Sequence, residues 1–194
     1  MDVAQKLVLI IGDSLSASTT SPGAYLAAAL RAKGAMVRIN AKVGRSARSF
    51  LNLEDGAKQM AREIENRPDI VILVLGTNDL VLSPTKTQEA FQTIRDTFRA
   101  HGIPVIMIGP PSFADSVKSE GKSFNELAKN IVVAGWYIFQ PHFIDARPMT
   151  ADIVKTSQGR AGDLIHFTKT GAQLWIQHDL TAMAKVRKAP AFYE

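Results

Sequence analysis

An apolar run from Leu7 to Ile11 leads directly into the sequence Gly12-Asp13-Ser14. Branched apolar residues without polar alternation are typical of a strand that is buried on both faces, as the strands of parallel sheets are. In open α/β sheets, ligands bind at the carboxyl ends of the strands, near the point where the strand order reverses. The run therefore predicts a first strand that places the Ser14 hydroxyl at the functional edge of a sheet.

Four further apolar runs predict the remaining strands, at residues 37–41, 70–75, 105–108 and 137–139. The segments between them carry apolar residues at helical spacing and helix-start signals. These segments begin near Pro22, Asn52, Ser83, Ser123 and Thr168. We expect the helix after Ser123 to end near Gly135, and residues 141–162 to be irregular apart from a short helical stretch at 149–154. Strands that alternate with helices predict an α/β fold with parallel strands and helices on both faces of the sheet.

Length and composition fit one globular domain over residues 1–194, because 46% of the residues are hydrophobic and 21% are charged. The absence of cysteine excludes disulfides and thiolate metal sites. No segment approaches the ~18 apolar residues that a membrane span needs. The start of the chain lacks the charged region of a secretory signal. We therefore expect a cytoplasmic protein, or a secreted one if a signal was removed from the chain.

The formal net charge is +5, and the basic residues are scattered. No basic stripe is interleaved with aromatic residues, so a nucleic-acid partner is not expected. Arg45 and Arg48 flank the segment after the second predicted strand. They would suit an anionic or polyhydroxylated substrate. The alternative, that both are exposed charges at a helix start, stays open.

A serine nucleophile needs a base and an acid that orients the base. Two of the four histidines have simpler roles: we expect His101, near a helix end, to cap carbonyl groups or face solvent, and His178, inside the last helix, to be a surface or partly packed residue. The other two each have an aspartate three residues away: His142 has Asp145 after it, and His166 has Asp163 before it. An aspartate at this spacing on a tight turn can reach imidazole Nδ1 and turn the other nitrogen towards a serine. Spacing alone does not separate the two pairs; we favour His166, which lies in a loop just ahead of a capped helix.

An oxyanion hole needs N–H donors aimed at the developing negative oxygen. Ser14 can supply its own backbone N–H. Gly44 follows a strand and lets its backbone approach a ligand closely. Asn78 ends the central strand and carries an uncharged amide donor. Gly44 could be only a turn residue, and Asn78 with Asp79 only a turn pair after a strand. Asp13 is expected to fix its turn by accepting backbone N–H bonds.

These motifs together resemble the four blocks of the GDSL, or SGNH, hydrolase family. The blocks are Gly12–Leu15, Gly44, Gly76–Asp79 and Asp163–His166, and they occur in the order of the family. The resemblance implies a three-layer α/β/α sandwich with a five-stranded parallel sheet, a flavodoxin-like fold. This chain departs from the family after His166, where many members have proline. Here the residue is Phe167, an apolar residue that could form one wall of the site.

The resemblance also implies a catalytic triad of Ser14, Asp163 and His166, with oxyanion donors at Ser14, Gly44 and Asn78. It implies no metal and no organic cofactor. The expected activity is hydrolysis of short-chain acyl esters, acetyl above all, through an acyl-enzyme. The expected partner is a small-molecule or glycan ester substrate; nothing in the sequence predicts an oligomeric state.

Three alternatives remain. The first is a lysophospholipase or thioesterase that acts on longer acyl chains, and the second is a binding module of the same fold with an idle triad. The third, a nucleotide-binding domain, would need a glycine-rich phosphate loop after the first strand. That segment has one glycine, Gly12, and the acidic Asp13, which would repel phosphate.

Overall fold

The computed structural model describes residues 3–53, 55–156 and 158–186, with side chains described as far as residue 183. The strands are β1 (Leu7–Gly12), β2 (Met36–Ala41), β3 (Ile70–Val74), β4 (Val105–Ile108), β5 (Lys118–Ser119), β6 (Lys122–Ser123) and β7 (Phe143–Ile144). The helices are α1 (Ser14–Ala17), α2 (Pro22–Ala32), α3 (Ala47–Asn52), α4 (Gly56–Glu65), α5 (Pro84–Arg99), α6 (Phe124–Phe139), α7 (Arg147–Thr150) and α8 (Lys169–Val186), with a 3₁₀ turn at Ile153–Lys155.

Five of the strands form one parallel sheet in the order β2-β1-β3-β4-β7, and β5 and β6 form a small antiparallel hairpin. The chain runs from β1 outwards to β2 and then returns to the other side of β1 with β3. The strand order therefore reverses beside β1, which places the carboxyl end of β1 at the switch point where such folds bind ligands.

The residues of β1 alternate between two hydrophobic cores. Leu9 and Ile11 pack into the core covered by α3 to α6, whereas Val8 and Ile10 pack into the core covered by α2 and α8. All four side chains are buried, as the uninterrupted apolar run predicts. The three-layer α/β/α sandwich with a five-stranded parallel sheet is confirmed.

The prediction of a strand at residues 137–139 is wrong. These residues form the last turn of α6, and the fifth strand of the sheet is β7, four residues further on. Gly135 does not end the helix, which runs on to Phe139. A Cβ at position 135 would lie 2.1 Å from the nearest ring atom of Phe143, so any larger residue would collide with this ring. This glycine therefore allows α6 to pack closely against β7.

The prediction of one helix beginning at Asn52 is also wrong, because this segment forms two helices. Asn52 is the last residue of α3, which begins after Ser46 with a capping box, and α4 begins separately at Gly56. The stretch expected at 149–154 is divided between α7 and the 3₁₀ turn. The helix starts at Pro22, Ser83, Ser123 and Thr168 are confirmed. Among the described residues, no helix combines the length and apolarity that crossing a membrane requires.

Candidate active site

Ser14 is the first residue of α1, immediately after the sharp turn that ends β1. The carboxylate of Asp13 caps this helix by accepting the Leu15 N–H at 2.8 Å. The Asp13 N–H donates to the Val74 carbonyl of the neighbouring strand β3 at 3.3 Å. The backbone N–H of Ser14 belongs to the first turn of a helix and so has no acceptor inside the helix. The turn therefore holds the serine at the carboxyl edge of the sheet with its N–H pointing outwards.

Asn78 and Asp79, which follow β3, bind the segment that leads into α3. The Asn78 amide donates to the Arg45 carbonyl at 3.0 Å and approaches the Asp13 carboxylate at 3.4 Å. Both oxygens of the buried Asp79 accept the Ala47 N–H, at 3.0 and 3.1 Å. These contacts connect the loops that follow β1, β2 and β3, so Ser14, Gly44 and Asn78 share one rigid region.

Gly44 lies in the turn between β2 and α3. The Arg45 N–H donates to the Lys42 carbonyl at 3.2 Å, and Gly44 has a φ of +75°. A left-handed conformation at this position of a β-turn favours glycine. The residue is exposed, and apart from its two chain neighbours no described residue has an atom within 4 Å of the position that a Cβ would occupy. Its backbone is therefore open to a ligand at this edge.

Two buried carboxyl groups surround the serine turn. Burial and, to a smaller extent, the nearby charge of Asp79 raise the pKa of Asp13 to about 7, against the opposing hydrogen bond from the Leu15 N–H. Burial also raises the pKa of Asp79 to about 6, although hydrogen bonds from the Ala47 and Arg48 N–H groups oppose the rise. Both acids are bound to backbone N–H groups, so they serve as structural ties of the turn, as expected for Asp13.

Asp163 and His166 lie on the loop between the 3₁₀ turn and α8, and we call residues 160–167 the acid–base loop. The Asp163 carboxylate contacts imidazole Nδ1 at 2.5 Å through one oxygen. Its other oxygen accepts the N–H groups of Ile165 and His166 at 3.0 and 2.9 Å. The side chains of His166 and Asp163 are 41% and 49% exposed. The local spacing therefore produces the expected acid–imidazole pair on an open surface.

The environment of Asp163 keeps it ionised. Partial burial would raise its pKa, but hydrogen bonds from the His166 imidazole and from the His166 and Ile165 N–H groups outweigh burial and lower the pKa to about 2. In a neutral imidazole, a carboxylate at Nδ1 favours the tautomer that carries its proton on Nδ1, which leaves Nε2 as the acceptor.

The imidazole and the serine lie at the same edge of the sheet. The acid–base loop lies at this edge because the Arg160 guanidinium donates to the carbonyl of Ser112, which follows the carboxyl end of β4. The charge of His166 also opposes the rise in the pKa of Asp13, the neighbour of Ser14. Within the described residues, no hydrogen bond joins the Ser14 hydroxyl to His166. Catalytic hydrogen bonds are commonly long in unliganded enzymes and tighten when substrate binds.

The structure does not bring the other predicted pair together. Asp145 binds Arg147 through both carboxylate oxygens, at 2.9 and 2.7 Å. His142 precedes β7 at the amino-terminal edge of the sheet, in a cavity of about 450 Å³ that Arg95 and Arg99 also line. His142 therefore faces away from the edge that carries Ser14, and the geometry favours His166.

Two residues expected to contact substrate turn inwards instead. Arg45 is buried, and its guanidinium donates to the Asn40 carbonyl at 2.8 Å and to the Asn40 side chain at 3.1 Å. Phe167 is buried too, with its ring centroid 4.8 Å from that of Trp175. The reason is the same in both cases: each side chain fills space beneath a loop. Only a small part of either side chain is therefore exposed to a substrate.

Arg160 was not singled out by the sequence reasoning, although it begins the acid–base loop. Its buried guanidinium donates to the Ile165 carbonyl, next to His166. No sequence signal distinguishes a buried arginine from an exposed one in an irregular segment. Among the described residues, no three histidine, aspartate or glutamate side chains come together as a set of metal ligands.

The fold and this arrangement were compared with known proteins. The model of the GDSL-like lipase/acylhydrolase family matches residues 10–174. Among curated proteins, no sequence matches the chain.

Solved structures share the fold at low sequence identity. A candidate SGNH hydrolase from Slackia heliotrinireducens is 20% identical, with a TM-score of 0.74 and coverage of 92% of this chain and 99% of the other. The psychrotrophic esterase EstA from Pseudoalteromonas sp. is 15% identical, with a TM-score of 0.71 and coverage of 95% and 100%. An acetylxylan esterase from Geobacillus stearothermophilus is 15% identical, with a TM-score of 0.73 and coverage of 93% and 95%.

The family match includes the segments that carry Ser14, Gly44, Asn78, Asp163 and His166. It covers far more than half of the chain, and the solved structures agree with it in fold. The chain belongs to the GDSL-like lipase/acylhydrolase family and is a carboxylic ester hydrolase.

Proposed function

We propose that this chain hydrolyses short-chain acyl esters, acetyl esters first, through an acyl-enzyme formed on Ser14. A carbohydrate is the alcohol portion that we favour. The observation that carries the proposal is the Asp163–His166 pair, whose 2.5 Å contact orients an imidazole at the sheet edge where Ser14 begins α1.

In the first step, His166 Nε2 removes the proton from the Ser14 hydroxyl as Oγ attacks the ester carbonyl. Asp163 holds Nδ1–H and stabilises the imidazolium that forms. The tetrahedral intermediate collapses, and His166 returns the proton to the leaving alcohol. In the second half, His166 takes a proton from water, the hydroxyl attacks the acyl-enzyme, and the free acid leaves as Ser14 regains its proton.

The developing oxyanion would be stabilised by the Ser14 and Gly44 N–H groups and by the Asn78 amide. One amide N–H of Asn78 is held by the Arg45 carbonyl at 3.0 Å, which orients the side chain. The other approaches Asp13 at 3.4 Å, a long contact that an oxyanion can replace. Asn78 is thus both positioned and able to donate.

Two observations support short acyl groups. Ser14 is half-buried and the His166 side chain is 41% exposed, which suits an open site better than a deep channel for a long chain. The loops that carry Ser14, Gly44 and Asn78 are short, and none of them forms an amphipathic lid. The acetylxylan esterase of similar fold supports testing acetylated carbohydrates as natural substrates.

The test is hydrolysis of p-nitrophenyl esters from acetyl to palmitoyl, with release of acetate from acetylated xylo-oligosaccharide as a second assay. We expect kcat/KM to peak at acetyl or butyryl. Ser14→Ala should lower kcat by about 10⁴-fold or more. His166→Ala should do the same, whereas His178→Ala, which removes an exposed histidine of α8, should retain full activity.

The result separates the alternatives. A maximum at long acyl chains would replace the short-chain proposal with a lysophospholipase or thioesterase. Equal activity of wild type and a folded Ser14→Ala protein would remove the nucleophile and favour a binding module with an idle triad.

A further inference from the structure

Arg160 is 4% exposed and lies at the start of the acid–base loop, six residues before His166. We propose that Arg160 is a positioning residue, which anchors the loop of Asp163 and His166 to the rigid segment after β4. The inference rests on the proposed function, since the imidazole position matters only if His166 is the base.

Arg160 first closes its own loop. Its backbone forms an isolated antiparallel bridge with Phe167, and the Ala161 N–H donates to the His166 carbonyl at 2.8 Å. Its guanidinium then reaches back through Nη1 to the carbonyl of Ile165. The carbonyl groups of Ile165 and His166 both accept hydrogen bonds in this way, so the backbone that carries the imidazole has little freedom.

The same guanidinium reaches outwards. Nη2 donates to the Ser112 carbonyl, in the segment that follows β4. Ser112 is itself held at two points: its N–H donates to the Thr150 hydroxyl at 2.8 Å, and its own hydroxyl donates to the Arg147 carbonyl at 2.9 Å. Arg160 therefore connects the acid–base loop to a segment that α7 already holds.

The next residue of that segment is held as well. The Asn125 side chain of α6 pairs with the Phe113 backbone, accepting its N–H at 2.9 Å and donating to its carbonyl at 2.8 Å. The guanidinium carbon of Arg160 lies 5.4 Å from the centroid of the Phe113 ring and 3.8 Å from that of Phe167. Cation–π contact with two rings fixes the plane of the guanidinium as well as its ends.

Burial disfavours the charged form of Arg160, which indicates that this side chain does more than fill space. Burial lowers the pKa of Arg160 to about 10, which the charge of Asp163 only partly offsets. No carboxylate hydrogen-bonds to it among the described residues, and its buried Nε also has no partner there. Apolar side chains can often replace even a buried ion pair with little loss of stability, and Arg160 has no hydrogen-bonded carboxylate among the described residues to offset its desolvation. The buried guanidinium of Arg160 is therefore better explained by the orientation that its hydrogen bonds to Ile165 and Ser112 impose on the acid–base loop.

Arg160 acts through the loop and does not touch substrate, because its donors are buried. The loop needs an anchor, since its functional side chains are 41% and 49% exposed. A displacement of about 1 Å at a reacting group can cost about 10²-fold in rate. Loss of Arg160 should therefore lower kcat, with little effect on the contacts that bind substrate.

The experiment uses Arg160→Met, which keeps the apolar stem, and Arg160→Lys, which can reach one carbonyl only. Arg95→Met is the matched control: Arg95 Nη1 also donates to a backbone carbonyl, that of Ile138, at 2.5 Å but at the opposite edge of the sheet. With p-nitrophenyl acetate we expect kcat of Arg160→Met to fall about 10- to 100-fold with KM within about twofold of wild type. Arg160→Lys should recover part of kcat, and Arg95→Met should retain all of it.

Amide hydrogen exchange over residues 161–166 gives a readout that does not require activity. Exchange there should be faster in Arg160→Met than in wild type and unchanged in Arg95→Met. Wild-type exchange and wild-type kcat in folded Arg160→Met would overturn the proposal. If that variant does not fold, the same two unchanged values in Arg160→Lys would overturn it. Faster exchange in a chain without Ser14-dependent hydrolysis would support the anchor while removing the proposed function.

Discussion

The two halves of the candidate site are held in place by different means. Ser14, Gly44 and Asn78 lie on short loops that follow strands directly, and buried side chains tie these loops together within one or two residues of each group. Asp163 and His166 lie on a loop that is separated from β7 by a helix and a 3₁₀ turn.

The oxyanion half and the acid–base half obtain their rigidity from different parts of the fold. A residue at the end of a strand inherits its position from the sheet, whose ladder bonds and buried faces leave little freedom. The acid–base loop has no such support, and its hydrogen bonds are mostly internal to the loop. It depends on a few long-range contacts, of which those of Arg160 are the clearest. The oxyanion side should therefore tolerate loss of a single tie better than the acid–base side.

The largest effect is expected from breaking the acid–base half directly. Asp163→Asn should lower kcat by about 10³- to 10⁴-fold, because the amide cannot stabilise the imidazolium and favours the wrong tautomer. The measurement is kcat on p-nitrophenyl acetate beside Asp152→Asn, a control at an exposed aspartate. An activity above one tenth of wild type would exclude Asp163 from the triad.

The same variant has a pH signature in stability. The folded-state pKa of Asp163 is lowered to about 2, so its carboxylate stabilises the native chain above its ordinary pKa of 3.8. This contribution is lost as the pH falls from about 4 towards 2. The difference in unfolding free energy between wild type and Asp163→Asn should therefore shrink over this window in urea titrations.

A smaller effect is expected on the oxyanion side. Asn78→Ala should lower kcat by about 10²- to 10³-fold, since one preorganised donor is lost while the two backbone N–H groups remain. Asn66→Ala is the control, because Asn66 also donates its amide to a carbonyl, that of Arg62, on the exposed end of α4. Full activity of Asn78→Ala would remove this side chain from the oxyanion hole.

The smallest effect on activity is expected at Asp179, outside both halves of the site. Burial raises the pKa of Asp179 to about 8, and neither of its oxygens has a hydrogen-bond partner among the described residues. A raised folded-state pKa means that stability is lost as the pH rises from about 4 to about 8.

Asp179→Asn cannot ionise, so its melting temperature relative to wild type should increase between pH 5 and pH 9, by on the order of 5 °C. Its kcat should stay within about twofold of wild type at pH 7. A melting-temperature difference that is the same at both pH values would show that Asp179 is already ionised in the folded chain.

Much of the fold was predictable because its signals are local. The run before Ser14 identified β1, and Pro or Ser/Thr at helix starts marked α2, α5, α6 and α8. The sequence alone could not place the fifth strand. Residues 137–139 are as apolar as a strand, but they form the last turn of α6, which the close packing of Gly135 against Phe143 allows to extend as far as Phe139.

The sequence by itself determined which residues can pair at short range. Asp163 lies three residues before His166, and the turn between them brings their side chains together. The spacing alone does not ensure this contact, because Asp145, three residues after His142, binds Arg147 instead. The order of the four motifs, each at a strand end or helix start, follows from the chain alone.

Only the tertiary structure decided which distant residues each polar side chain contacts. It placed His142 at the far edge of the sheet, turned Arg45 under its own loop and brought Arg160 against Ser112, 48 residues away. Such contacts depend on how helices and loops pack on the sheet, and the sequence carries no period or spacing that reports them. Burial of a polar side chain is a property of the assembled layers, so it becomes visible only when the chain is folded.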